Sequence, residues 1–293
     1  MLDRPYVQTY TAVVGNNKCN ANCPYCVSKM TPCHLDNDSL DIDLKVFRKG
    51  GKLALIWGAT TFLITGKGEP TLYPDLVRDV VGEANALGFP IIELQTNGIR
   101  LVDPGFDKIL AQWARYGLTT VSVSCVHYKR KPNQELISEA YPDLEKVIEV
   151  IHKCGLAVRL SVIMISGYIQ TFHDVKKFVL FANENDVEQV KFSMVNAPDK
   201  TTNEKMATWV RERVPSGYRQ AMKIWLNRFC VPIRELVHGD TIYSCYIDGM
   251  KKDQNLSYSS CLTESSGNDI RQLIYCRDGH IRYSWQHQAA ILF

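Results

Sequence analysis

Cys19-Asn20-Ala21-Asn22-Cys23-Pro24-Tyr25-Cys26 places three thiols in one short run, spaced C-x₃-C-x₂-C. Thiolate sulfur is the ordinary ligand of iron–sulfur clusters, and four cysteines are usual. A run that supplies three leaves one iron open, and an open metal position points to chemistry rather than structural support. Two other uses compete. Structural zinc takes four closed ligands, often in paired C-x₂-C units. One such unit is present, Cys23 and Cys26, and Cys33 and His34 follow closely enough to complete a zinc site. A disulfide framework is the other. Ten cysteines in 293 residues fall well short of disulfide-scaffold density. Met1-Leu2-Asp3-Arg4-Pro5 is not an apolar signal segment. A reducing cytosol is therefore expected, where clustered cysteines bind metal or catalyse.

The elements that must position this run alternate between strand-like and helix-like segments, the pattern of βα units around a parallel sheet. The predicted strands are Val7–Val14, Thr61–Thr65, Pro90–Leu94, Thr119–Ser124, Ala157–Met164 and Gln189–Met194. Helices are predicted over Leu44–Trp57, Pro74–Ala86, Phe106–Arg115, Tyr141–Lys153 and Phe172–Asn185. After Asn196 the pattern changes. Two more helices, Asn203–Arg213 and Gly217–Arg228, precede a polar, turn-rich stretch from Gly249 to Asn268. A hairpin then closes the chain, with Asp278-Gly279 at its turn. The expected fold class is α/β, a partial (β/α)6 TIM-like barrel over residues 1–197 with a C-terminal α+β extension over 198–293. That extension is expected to cap the barrel and to contribute to substrate binding.

In parallel α/β folds ligands bind at the C-terminal ends of the strands. The unusual loops of this chain fall at those ends: the cysteine run after strand one, Gly66-Lys67-Gly68-Glu69-Pro70 after strand two, Thr96-Asn97-Gly98 after strand three, and Ser124-Cys125-Val126-His127 after strand four. The cysteine run with Tyr25 before its last cysteine, together with the Gly68-Glu69-Pro70 core, resembles the radical S-adenosylmethionine (radical SAM) superfamily. The family's motif is usually Gly-Gly-Glu-Pro; here Lys67 stands where the first glycine is commonest. The resemblance covers about residues 7–195.

The resemblance implies that Cys19, Cys23 and Cys26 hold a [4Fe–4S] cluster whose open iron chelates S-adenosylmethionine. It also implies that reductive cleavage gives methionine and a 5′-deoxyadenosyl radical, which takes a hydrogen atom from substrate. Carried over by position, Tyr25 lies against the adenine through backbone or ring. The backbone at Gly68, Glu69 and Pro70 meets the methionine amino group, whose ammonium needs carbonyl acceptors. Thr96 and Asn97 approach the ribose or the methionine portion, and Ser124 contacts the cofactor. Arg159 or Ser161 binds a carboxylate or the ribose, a task suited to the forked donors of Arg. Gly167 lets the adenine pack closely, and the Lys67 side chain is expected to point away. A reductant such as flavodoxin or ferredoxin is the implied protein partner.

The C-terminal third carries Cys230, Cys245, Cys261 and Cys276 at spacings of 15, 16 and 15. They are read either as ligands of a second cluster or as scattered buried cysteines. Cys245 or Cys261 is alternatively a hydrogen-atom donor to a substrate radical. His127, Tyr128, Lys129 and Arg130 are read as a basic loop, either solvated or binding an anionic substrate. A net charge of +3 and no long basic run argue against nucleic acid, and no apolar stretch is long enough to span a bilayer. Three readings remain. One is an oxidoreductase or lyase of this kind acting on a small molecule, such as a nucleotide, a sugar or an amino-acid-derived metabolite. Another is a peptide or protein modifier of epimerase or cross-linking type. The third is a non-catalytic iron–sulfur or zinc protein.

Overall fold

The computed structural model describes residues 5–31, 41–215, 218–236, 240–260, 269–287 and 289–293, apart from the side chains of 218–220, 223 and 260. Six parallel strands form its centre: β1 (Val7–Val13), β2 (Thr61–Thr65), β3 (Ile91–Thr96), β4 (Thr120–Cys125), β5 (Ala157–Met164) and β6 (Gln189–Met194). Between them run the helices α1 (Leu44–Ile56), α2 (Pro74–Leu87), α3 (Phe106–Tyr116), α4 (Arg130–Leu136), α5 (Leu144–Lys153) and α6 (Phe172–Glu184). Local chemistry sets several of their ends. The Asp43 carboxylate accepts from Lys45 N and Val46 N to open α1. Thr171 and Asp174 form a reciprocal capping box on α6. Pro74 occupies the first turn of α2, and Gly88 closes that helix in the left-handed region.

The residues after 197 do not stand apart from this sheet. They form α7 (Glu204–Arg211), α8 (Tyr218–Phe229), β7 (Cys230–Glu235), β8 (Thr241–Cys245), β9 (Gln254–Ser260), β10 (Ile270–Tyr275) and β11 (Ile281–Arg282). β10 lies parallel beside β1, and β9 lies parallel beside β6. The sheet is open, ordered β11-β10-β1-β2-β3-β4-β5-β6-β9-β8-β7, with antiparallel pairs at both flanks. Two strands of the extension therefore widen the barrel wall. Among the described residues no helix is long and apolar enough to cross a membrane.

The two faces of this sheet differ sharply. One carries Tyr10, Phe62, Ile64, Ile92, Leu94, Val121, Val123, Val158, Leu160, Val162, Val190, Phe192 and Leu256, all buried beneath the helices. The other carries Thr9, Thr11, Gln95, Ser122, Ser124, Arg159, Ser161, Gln189, Lys191, Ser193, Asn255, Ser257 and Ser259 at the alternate positions. Parallel strands covered by helices on both faces read as continuous apolar runs. Polar alternate positions on these parallel strands instead give the barrel a polar inner wall, with Ser122, Ser193, Ser257 and Ser259 buried and Ser124, Ser161, Lys191 and Asn255 half-buried.

Candidate functional site

The loop leaving β1 is tied down along its length. Val14 N donates to Thr65 O at 2.8 Å, Glu69 N to Lys18 O at 3.0 Å, and Asn22 N to Ile137 O at 2.9 Å. Thr202 N, from the C-terminal segment, donates to Met30 O at 2.9 Å. Cys19 is exposed, and Cys23 and Cys26 are half-buried. Burial, reinforced by neighbouring Cys26, pushes the Cys23 thiol up to about 12. Partial desolvation by the loops around it raises Cys19 as well, and the charges of Glu69 and Cys26 add to it. An opening of about 660 Å³ lies against the loop, lined by Cys19, Asn20, Ala21, Asn22 and Pro24 and by the 134–139 segment.

Among the described residues no three His, Cys, Asp or Glu side chains converge on one ion. The all-sulfur donor set of Cys19, Cys23 and Cys26 fits a [4Fe–4S] cluster, in which each cysteine binds a different iron. Cys33 and His34, the residues that would complete a zinc site, lie outside the described residues.

The Gly68-Glu69-Pro70 turn crosses directly over this loop. A Cβ at Gly68 would stand 1.9 Å from Lys18 O and 2.6 Å from Asn16 O, so only glycine fits. The Glu69 carboxylate is buried. Its Oε1 accepts from Thr71 N (2.9 Å), Thr71 Oγ1 (2.7 Å) and Thr96 Oγ1 (2.6 Å), and its Oε2 accepts from Asn97 N (2.9 Å). Pro70 begins a short 3₁₀ turn, Pro70–Leu72. Lys67 Nζ donates to Thr31 Oγ1 at 2.7 Å, beyond the cysteines.

At the end of β3, Thr96 donates to Glu69 and accepts from Gly98 N at 3.0 Å. Asn97 Oδ1 accepts from Ile99 N at 3.0 Å, while its Nδ2 lies 2.7 Å from Asn20 Oδ1 and 3.9 Å from Cys19 Sγ. One carboxylate, Glu69, thus couples the second loop to the third, and Asn97 couples the third to the first.

Four of the expected positions have surroundings that bear on their roles. The ring of Tyr25 is buried in the core, so of the two contacts expected at that position only the backbone one stays open. Arg159 is paired with Glu93, which is fully buried, and with Gln189 Oε1. It sits in the N-terminal half of β5, where its guanidinium is engaged with Glu93. Gly167 has φ +90°, with nothing within 4 Å of where a Cβ would stand. Cys245 is joined to Cys230 in a disulfide across the directly paired β7 and β8, and so carries no thiol hydrogen to give. That pairing also removes both from a four-cysteine second cluster. Cys261 lies outside the described residues.

Ser124 and Ser161 face each other across β4 and β5 on the lumen side, both half-exposed. Lys191 on β6 and Ser257 on β9 continue the same row. Below it, Gln189 Nε2 donates to Asn255 Oδ1 at 3.0 Å and Gln95 Nε2 to Glu93 Oε1 at 3.3 Å, so the floor is a hydrogen-bonded row. Sequence reading missed Glu93, Gln189, Lys191 and Asn255. The available signal was polar residues at alternate positions of otherwise apolar parallel strands. The basic loop after β4 turns elsewhere: Tyr128 packs on Phe178 and Phe181 of α6, and His127 Nδ1 accepts from Lys129 N at 3.0 Å. Arg130 donates to Tyr141 O at 3.1 Å and pairs with Asp143.

A family model described as the Radical SAM superfamily matches residues 13–182. The chain is 23% identical over 279 residues to the molybdenum cofactor biosynthesis protein moc-5 of Caenorhabditis elegans, covering 94% of this chain and 43% of that protein. It is 20% identical over 244 residues to a UPF0026 protein of Helicobacter pylori, covering 80% and 74%. The crystal structure of Streptococcus suis SuiB bound to S-adenosylmethionine superposes with a TM-score of 0.58 at 13% identity, over 94% of this chain and 60% of that one. Native anSMEcpe with bound AdoMet gives a TM-score of 0.55 at 15% identity, over 96% and 75%. These two likenesses are of fold, and they share the open, largely parallel barrel. This chain spans less than half the length of moc-5 and about three-fifths of the SuiB chain. With the family model running from the end of β1 into α6, over more than half its length, the chain belongs to the radical SAM superfamily of enzymes, which work with a [4Fe–4S] cluster and S-adenosylmethionine.

Proposed function

We propose that this radical SAM enzyme acts on a small polar molecule held in the barrel lumen, with Cys19, Cys23 and Cys26 as the cluster ligands. The observation that carries the substrate class is the polar lumen wall, above all the half-exposed row of Ser124, Ser161 and Lys191. Hydroxyl, amide and ammonium groups at those positions recognise a nucleotide, sugar or amino-acid-derived metabolite by hydrogen bonding. The similarity to moc-5, a cofactor-biosynthesis protein, supports the same class. Reductive cleavage of S-adenosylmethionine, yielding a 5′-deoxyadenosyl radical that takes a hydrogen atom from substrate, is the chemistry a bound cluster would supply.

The chain's own residues prepare for it. Gly68 lets the second loop touch the first, and Glu69 fixes the second loop to the third. The backbone of Gly68, Glu69 and Pro70 offers acceptors to the methionine ammonium. Ser124 and Ser161 are placed to contact S-adenosylmethionine or the substrate beside it. The helices and the added strands β9 and β10 extend the wall that shields a reactive radical from water. A cytosolic setting, with flavodoxin or ferredoxin as electron donor, belongs to the same proposal.

The test is to give anaerobically reconstituted protein S-adenosylmethionine, dithionite and either the small-molecule or the peptide fraction of a cell extract. The reading expects 5′-deoxyadenosine formation to rise above the uncoupled background with the small-molecule fraction alone. Stimulation by the peptide fraction alone overturns the substrate class.

A further inference from the structure

The hydrogen bonds around Cys19 imply more than ligation. Asn97 is buried, and its side-chain orientation follows from its partners. Ile99 N is a donor and requires the amide oxygen at 3.0 Å, so the NH₂ end faces Asn20 Oδ1 at 2.7 Å and Cys19 Sγ at 3.9 Å. The backbone on both sides is locked as well: Asn97 N donates to Glu69 Oε2 and Glu69 N donates to Lys18 O, next to Cys19. Asn97 therefore cannot turn its amide away from the sulfur without breaking its bonds to Ile99 N and Asn20 Oδ1.

Resting on the reading that Cys19 is a ligand, we propose that Asn97 is a positioning residue that sets the reduction potential of the cluster through an N–H···S bond to Cys19. Negative charge on the ligand sulfurs is greater in the reduced cluster than in the oxidised one. A donor aimed at one sulfur therefore favours the reduced state and raises the potential. The residue acts through Cys19 and transfers no atom.

The experiment uses anaerobically reconstituted wild type, Asn97→Leu, Asn97→Asp and Cys19→Ala. Iron and sulfide are counted, and the cluster is titrated by EPR at controlled potentials without S-adenosylmethionine. Asn97→Leu removes the donor at similar volume. Asn97→Asp keeps the acceptor for Ile99 N and places an anion against the sulfur. With about four irons per chain retained, the reduced-to-oxidised ratio at a fixed potential is expected to fall several-fold in Asn97→Leu and further in Asn97→Asp. A tenfold fall is 59 mV for this one-electron couple. An unchanged midpoint in Asn97→Asp at full iron content overturns the role of Asn97, whether or not Asn97→Leu retains its cluster. An unaltered cluster in Cys19→Ala overturns the ligation reading itself, so the two failures are separable.

Discussion

Replacing Glu69 with Ala tests the claim that one buried carboxylate holds the site together. The substitution removes the acceptor for four donors: Thr71 N, Thr71 Oγ1, Thr96 Oγ1 and Asn97 N. The two hydroxyls can rotate to other acceptors. The two backbone N–H groups cannot, and Thr71 and Asn97 are both buried. A buried donor left without a partner costs about 1–3 kcal/mol, so the pair costs about 2–6 kcal/mol. At roughly 2 °C per kcal/mol for a chain of this length, the melting temperature falls by about 4–12 °C. Glu69→Gln retains an oxygen for the Thr71 and Thr96 donors and sets an NH₂ against Asn97 N. It orphans one amide, and about half the loss is expected. Thermal unfolding of the apo-protein followed by circular dichroism gives the numbers, and iron content after reconstitution shows whether the cysteine loop has loosened. A Glu69→Ala protein that melts within about 1 °C of wild type refutes the argument.

Three further outcomes follow from the geometry. Gly68→Ala pushes a methyl group into two backbone carbonyls, with Lys18 O only 1.9 Å away, so reconstitution is expected to yield background iron while far-ultraviolet circular dichroism stays native; full iron loading contradicts this. Arg159→Ala strands the Glu93 charge inside the wall and is expected to cost about 3–5 kcal/mol in urea unfolding, with part recovered in Arg159→Ala/Glu93→Gln; a loss under about 1 kcal/mol refutes the pairing. For Asp278, burial raises the carboxyl pKa, but the Arg282 guanidinium, bonded at 2.6 and 2.8 Å, outweighs it and leaves the pKa below the ordinary value. Its stabilising contribution is thus complete above about pH 4 and is lost as pH falls below that. The gap in urea midpoint between wild type and Asp278→Asn should close in acid, and a gap independent of pH contradicts the assignment.

The central sheet was legible because β1 to β6 alternate with helices whose caps are written locally, as at Asp43 and Thr171. β9 was not. Asn255, Ser257 and Ser259 face the lumen, leaving Leu256 and Tyr258 as the clear apolar positions, so the segment reads as a polar loop. The terminal hairpin was visible in Asp278-Gly279. Its place beside β1 was not, since Val7 pairs with Ile270 across most of the chain. The loops carrying the site announced themselves by Gly, Asn and Cys at strand ends. What each side chain does there depended on partners far away in sequence. Arg159 has Glu93 across β4, Tyr25 has the core, and Cys245 has Cys230. Glu69 appeared as a cofactor-loop residue, and the structure makes its carboxylate the clasp between loops.

The most direct measurement is on anaerobically reconstituted protein beside a Cys19→Ala/Cys23→Ala/Cys26→Ala variant, with iron and sulfide counted and 5′-deoxyadenosine assayed after adding dithionite and S-adenosylmethionine. The account predicts about four irons per wild-type chain, with 5′-deoxyadenosine formed and both signals absent from the variant. Zinc in place of iron, or a cluster that survives in the variant or never cleaves S-adenosylmethionine, would contradict it.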